Sequence, residues 1–249
     1  DIDHFNSYSS ELRLQHDYHL GRLRNTVVTG LRAINNDLHR QQLGKGTTGS
    51  DFDLSIIDPN FGRDIHFKSK NVAFFVENLF KITPRLHISA GARVENGSSK
   101  MSGIIAYLPT EKVPQDIFHK FVLPGVSGQY QINDRHKIYG GWSQAYRPVV
   151  FGDIIPASAI EQADPNLENS FGYNAEFGIK GNLLGRLTYD LNVFQILYKK
   201  RVGNLILTDD NGQSYVWKTN IGDSRTNGVE LYAELKVVEQ KATRIAIFT

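Results

Sequence analysis

Cysteine is absent from the 249 residues and methionine occurs once. No disulfide and no thiolate-held zinc or iron–sulfur centre can form, which suits an exported bacterial protein but does not by itself fix a compartment. No apolar run approaches the ~20 residues that a membrane-spanning helix needs. Charge of one sign is not in excess either: 28 basic residues face 26 acidic ones, for a net charge of +2. Binders of nucleic acid concentrate basic charge on one face, so no nucleic-acid partner is expected. The chain starts at Asp1 without a basic-then-apolar leader, and is expected to be a mature piece or a fragment.

What is present is alternation. In residues 71–96, Leu86, Ile88, Ala90, Ala92 and Val94 fall on one side of an extended strand, and Arg85, His87, Ser89, Gly91, Arg93 and Glu95 fall on the other. Lys81-Ile82-Thr83-Pro84 is a turn signal, so the two halves form a hairpin. An ordinary strand has about 5 to 6 residues; these arms run well beyond that. Length with an apolar stripe on one side suits a strand tilted across a bilayer. The slightly negative mean hydropathy does not argue against this, because lipid-facing residues alternate with wet ones.

Along the chain, expected strands at 5–16, 22–34, 121–132, 137–146, 170–180, 186–198 and 225–237 flank the central hairpin. A last short turn at 239–242 opens a further strand. Long connections are expected at 35–64, 97–120, 147–169 and 199–224, and short turns at the opposite strand ends. Sorting loops by end is the habit of bacterial outer-membrane barrels rather than soluble sandwiches. The fold class is therefore all-β: a transmembrane antiparallel β-barrel, here about ten strands. Tyr18, Phe80, Tyr130 and Tyr146 stand where interfacial aromatic girdles would lie, although aromatics are common in any strand. Pro124 fits a strand poorly because it has no N–H to donate.

Several stretches carry a family resemblance: Ala73-x-x-x-Glu77 followed by Ala90-Gly91-Ala92-Arg93-Val94-Glu95; the run from Ile138 through Trp142, Arg147 and Pro148; Asp164-Pro165-Asn166-Leu167-Glu168; and Thr226-Asn227-Gly228-Val229-Glu230. In this order they resemble the barrel of TonB-dependent outer-membrane receptors. The stretch from Asn36-Asp37-Leu38 to Gly46-Thr47-Thr48-Gly49-Ser50-Asp51 looks most like ferric dicitrate receptors of the Bacteroidetes kind. The resemblance implies a plugged barrel of about 22 strands, of which residues 1–249 would be a partial barrel domain lacking the plug and terminal strands. It further implies a bacterial outer-membrane location, a bilayer bearing lipopolysaccharide, a TonB–ExbB–ExbD energy complex acting through the plug, and an iron chelate as transported ligand with no resident cofactor.

An anionic chelate needs cationic donors, and arginine pairs with carboxylates bidentately. Ferric citrate receptors place a ligand-binding arginine in the loop before the hairpin strand, so the resemblance carries that role to Arg63; the bland alternative is a solvated loop arginine. His39, Arg40 and Lys45 share the loop. Arg147 either binds ligand or braces a strand end or the plug. Asn204 matches a region where such receptors place an amide contact. Arg32, Glu77, Arg93, Glu95, Glu176, Glu230 and Glu234 are expected to point into the lumen in structural roles. No metal site and no catalytic set is expected. The eight histidines form no ligand pair, Asp209-Asp210-Asn211-Gly212 is a turn rather than a calcium loop, and Gly44-Lys45-Gly46-Thr47-Thr48 lacks phosphate-loop spacing. The chain is not expected to be an enzyme. Uptake of cobalamin or a glycan, a barrel enzyme or adhesin, and a soluble all-β module are the competing readings.

Overall fold

The computed structural model describes residues 2–249 apart from positions 48, 50–52, 54, 110–114, 157–159 and 241. Its strands in chain order are β1 (Ile2–Leu20), β2 (Leu23–Gln42), β3 (Lys45–Gly46), β4 (Ile56–Asp58), β5 (Arg63–Lys81), β6 (Leu86–Ile105), β7 (Gln115–Asn133), β8 (His136–Arg147), β9 (Glu161–Ala163), β10 (Ser170–Leu183), β11 (Leu187–Thr208), β12 (Ser214–Gln240) and β13 (Thr243–Phe248). One 3-10 turn, Pro59–Phe61, and one turn of helix, α1 (Phe151–Ile154), interrupt them. The long strands pair in sequence order from β1 to β13 as one antiparallel sheet. β9 adds to the edge of β12 in parallel, and β3 pairs with β4 as a separate ribbon. This is the expected barrel wall. It is an arc with β1 and β13 at its edges.

Register settles which way each side chain points, since directly opposed residues share a face. Phe74 lies opposite Leu31 and Val94, and Val94 lies opposite Val122, so these apolar side chains form one belt. Leu31, Phe74, Val94 and Val122 are all exposed, as suits a surface that meets lipid. The opposite, concave face holds an open trough of about 640 Å³ lined by Glu77, Arg93, Ser127, Ser143, Glu176 and Glu230. The charged residues expected in the lumen stand on this face. Arg93 pairs with Glu95, whose carboxylate also accepts from Asn71 Nδ2 at 2.8 Å. Asn192 Nδ2 donates to Glu176 at 3.1 Å. On the trough side Phe75 also folds over Gly30, where a Cβ would lie 2.5 Å from the ring; no larger residue fits opposite it.

Three of the four expected long connections are shorter than the residue pattern suggests. β2 continues to Gln42 and β5 begins at Arg63, so 35–64 contracts to 43–62. β6 reaches Ile105 and β7 begins at Gln115, leaving 106–114 of the expected 97–120. The fourth is no loop: β11 and β12 stay paired to Thr208 and Ser214 across a tight turn. There Asp209 Oδ1 accepts from the N–H groups of Asn211 and Gln213 at 2.9 and 2.8 Å. Beyond the lipid belt both strand faces meet water. Apolar alternation fades there although the backbone ladder persists. Parts of two quoted stretches, Thr48 with Ser50 and Asp51, and position 241 in the last turn, lie outside the described residues.

The described residues of the third connection, 148–156 and 160–169, fold inward. Phe151 of α1 packs on Phe67 at 5.1 Å between ring centres, over a core of Ile65, Met101 and Ile105 at 1, 1 and 2% exposure. Burying each of these side chains contributes roughly 1.5–3 kcal/mol. Tyr107 donates its hydroxyl to the Pro156 carbonyl at 2.9 Å, and Lys218 Nζ on β12 donates to the Gly152 carbonyl at 2.8 Å. The described part of the segment thus reaches across the loop end of the concave face from β5 to β12. Pro124 marks why it can leave the wall. The β7–β8 ladder ends at Gly125 opposite Ser143, next to the missing N–H, and β8 departs from β7 beyond it.

Candidate ligand-binding mouth

Arg63 opens β5 opposite Gln42 and Ile105. Counting in steps of two from Phe75 puts it on the concave face, at the loop end of β5 and twelve residues along the strand from the trough residue Phe75. Its Nε donates to Gln42 Oε1 at 2.8 Å, and its guanidinium lies 5.8 Å from the Tyr107 ring centre. Tyr107 lies 6.0 Å from Phe61, and Lys45 Nζ sits 5.8 Å from the Phe61 ring centre. Two cations therefore flank two tilted rings. Neither has a carboxylate partner among the described residues. Each cation–π contact is worth about 0.5–1 kcal/mol at an exposed site, too little to quench the charge.

The other candidate residues are differently placed. Arg40 and His39 lie on β2, not in a loop, and as neighbours on a strand they face opposite ways. Arg40 is concave, in the row next to Arg63, but Asp3 clamps it bidentately at 2.8 and 2.7 Å. Hydrogen bonding from Arg40 holds the Asp3 carboxyl below its usual range. His39 is on the convex face. It contacts Asp64 at 2.6 Å and stacks on His66 at 4.0 Å, and its hydrogen bond, with one from Gln41, holds Asp64 low. Arg147 ends β8 and donates to Asp153 Oδ1 at 2.9 Å, while Asp153 Oδ2 accepts from the Val150 N–H at 3.0 Å. That is the bracing geometry, and it ties α1 to the wall. Asn204 lies on β11 opposite Lys218, whose Nζ reaches Glu161 at 2.6 Å.

The mouth thus links Arg63 and Lys45 through Tyr107 and Phe61. Arg40 lies beside them, Arg147 and Asn204 stand along the inward segment, and His39 lies outside. Phe61 and Tyr107 were not among the sequence candidates. Both sit in connections without alternation, and only their proximity to two cations marks them. No group of three or more His, Cys, Asp or Glu among the described residues is placed to hold a metal ion.

The family model of the TonB dependent receptor-like β-barrel matches residues 2–246. The chain belongs to the TonB-dependent receptor barrel family. Members of this family are transport receptors of the outer membrane. Among solved structures, the unliganded ferric citrate transporter FecA matches this receptor barrel over 94% of its chain and 32% of FecA, with a TM-score of 0.71 at 18% identity. The ferric-catecholate import receptor Fiu from K12 E. coli matches over 94% of the chain and 36% of its own, with a TM-score of 0.69 at 14% identity. The ferripyoverdine receptor of Pseudomonas aeruginosa matches over 95 and 31%, with a TM-score of 0.64 at 21% identity. At such identities the likeness concerns the fold. The receptor barrel described here spans about a third of the length of these proteins. No curated protein matches it in sequence.

Proposed function

We propose that this barrel wall belongs to an outer-membrane receptor that takes up an anionic ferric chelate, with a citrate-type complex as the first substrate to test. The observation that carries the reading is a pair of cations without a carboxylate partner among the described residues, Arg63 and Lys45, set against Phe61 and Tyr107 at the loop end of the concave face. A planar guanidinium with free N–H groups pairs with chelate carboxylates, and the flanking rings lower the local dielectric and strengthen that pairing. The similar receptors named above carry ferric citrate, ferric catecholate and ferripyoverdine. Passage inward would draw energy from a TonB–ExbB–ExbD complex acting on a plug in the remainder of the receptor. The inward segment anchored by Arg147 and Asp153 lies over the entrance, where a ligand would meet it.

Calorimetric titration of ferric citrate into the full-length, detergent-solubilised receptor tests the reading, with iron-free citrate as control. Saturable, iron-dependent heat is expected. Arg63→Ala should weaken it by about tenfold, the worth of one charge-assisted hydrogen-bond pair. If ferric citrate is silent and a catecholate or hydroxamate chelate binds, the citrate assignment falls; if no ferric chelate binds, the uptake reading falls with it.

A further inference from the structure

Gln42 closes β2 directly opposite Arg63, and its side chain reaches both arms of the cationic mouth. Its Oε1 accepts from Arg63 Nε at 2.8 Å, while its Nε2 donates to the Gly44 carbonyl at 3.1 Å. That carbonyl belongs to the peptide bond that joins Gly44 to Lys45. One half-buried amide therefore holds the guanidinium of one cation and the backbone from which the other springs. The chain at Gly44 also runs close against β4, since a Cβ there would lie 2.6 Å from the Asp58 carbonyl oxygen. Lys45 lies opposite Asp58 in the β3–β4 ribbon, so the Gly44–Lys45 peptide is pinned between Gln42 and that ribbon.

Two other arginines at the same end of the wall are held by carboxylates. Asp3 takes Nε and Nη2 of Arg40 at 2.8 and 2.7 Å, and Asp153 takes Nη2 of Arg147 at 2.9 Å. Each acid neutralises the charge that it orients. An amide oxygen accepts the same N–H bond and brings no charge of its own. Held by Gln42 at Nε, Arg63 keeps its positive charge and leaves both Nη groups clear of the amide. Those are the groups that grip a carboxylate bidentately.

We infer that Gln42 is a positioning residue of the mouth: it orients Arg63 and Lys45 toward an anionic ligand, and its neutrality keeps the site selective for negative charge. The inference rests on the uptake reading above and deepens it. The amide does not touch the ligand and acts through the two cations. A merely structural role for Gln42 ranks substitutions by shape, so Gln42→Glu, which keeps the length and the acceptor, would be milder than Gln42→Met. A positioning role that depends on neutrality reverses that order, because Gln42→Glu sets a carboxylate against Arg63 and repels anions.

The test uses the full-length, detergent-solubilised receptor as wild type, Gln42→Glu and Gln42→Met, each checked for folding by heat-modifiable migration. Ferric citrate is titrated calorimetrically into all three. Arg63 is also labelled with phenylglyoxal in the absence of chelate. Its rate is read by peptide mass spectrometry against Arg40 and Arg147 in the same sample. Dicarbonyl reagents attack the neutral guanidine, so a carboxylate partner slows them. Gln42→Glu should weaken ferric citrate binding by about tenfold, and Gln42→Met by only about threefold. Labelling of Arg63 should outpace that of Arg40 in the wild type, drop to the Arg40 rate in Gln42→Glu and stay fast in Gln42→Met. Equal or reversed losses of affinity in the two variants overturn the inference, as does undiminished Arg63 labelling in Gln42→Glu. If the wild type binds no ferric citrate, the citrate assignment falls and labelling alone decides the role of Gln42. Slowed labelling in Gln42→Glu then supports its hold on Arg63, and unchanged labelling overturns it.

Discussion

Arg63, Arg40 and Arg147 share a residue type and nearly a location, and differ in what neutralises them. Asp3 and Asp153 hold two of them, whereas Arg63 faces a neutral amide and a ring. A substitution at Arg147 therefore strands the buried Asp153 carboxylate and is read in stability, whereas one at Arg40 leaves a solvated Asp3 and costs little. One at Arg63 is, on the proposed uptake reading, read in ligand affinity. Single residues also carry strain. Leu184, at φ +53°, shares the β10–β11 turn with Gly185 at φ +73°, and its side chain is 88% exposed. A left-handed conformation costs a branched L-residue roughly 1–2 kcal/mol, and nothing is gained here by burial. Leu184→Asn should stabilise the receptor by about 1 kcal/mol in chemical unfolding of detergent-solubilised protein. An unchanged or lowered midpoint would mean that the turn carries no such strain.

At the scale of elements, the inward segment is held at four places: Phe151 on Phe67, Tyr107 on Pro156, Lys218 on Gly152, and Arg147 on Asp153. Asp153 is 7% exposed and serves both Arg147 and the Val150 N–H. Asp153→Ala should loosen residues 149–156 by about 2 kcal/mol, less than a fully buried pair would cost because Arg147 is partly solvated. Faster amide exchange confined to that stretch is the expected readout, and unchanged protection would show that the aromatic contact and the Lys218 and Tyr107 hydrogen bonds suffice to anchor it. The stretch 164–168 docks on β12 by a different device. Asp164 Oδ2 accepts from the Thr219 hydroxyl at 2.6 Å and Oδ1 from the Asn166 N–H at 2.8 Å, and these bonds hold its carboxyl low. A depressed carboxyl contributes its full share above the ordinary carboxylate range and loses it as pH falls through the lowered value. Exchange protection of 164–168 should thus be flat from about pH 7 to about pH 5 and fall only in stronger acid; a decline between those values would sink this account.

These elements also show what could be read from residues alone. The strands within the belt, and their facing, follow from alternation: Phe177 and Ile179 against Glu176 and Lys180, Val229 and Leu231 against Glu230 and Glu234. Their continuations past Ile34 and Tyr198 were illegible, because period-two patterning reports one-sided burial and both faces of those extensions are wet. The inward turn of 148–169 left no mark either, since its partners Phe67, Tyr107 and Lys218 are distant in sequence. Arg63 was singled out by resemblance, but the rings that complete its site needed the fold.

For the whole molecule, curvature turns a two-faced sheet into a wall with an inside and an outside. The trough concentrates Glu77, Arg93, Glu176 and Glu230 on one side, and lipid-facing valines and leucines cover the other. Such a wall is self-consistent only when both lateral edges are met. Among the described residues β1 is paired on one side only along its 19 residues, and β13 likewise pairs with β12 alone. In hydrocarbon each unmet N–H or C=O costs several kcal/mol, so edges of this length outweigh what the belt can contribute. Residues 1–249 produced alone should therefore fail to insert as monomers. In lipid or detergent they should form oligomers or aggregates joined through β1 and β13, and the full-length receptor should insert and show heat-modifiable migration. A monodisperse 28.1 kDa species stably embedded in vesicles would sink this argument, because it would require the arc to close on itself with a register that its own ladders do not provide.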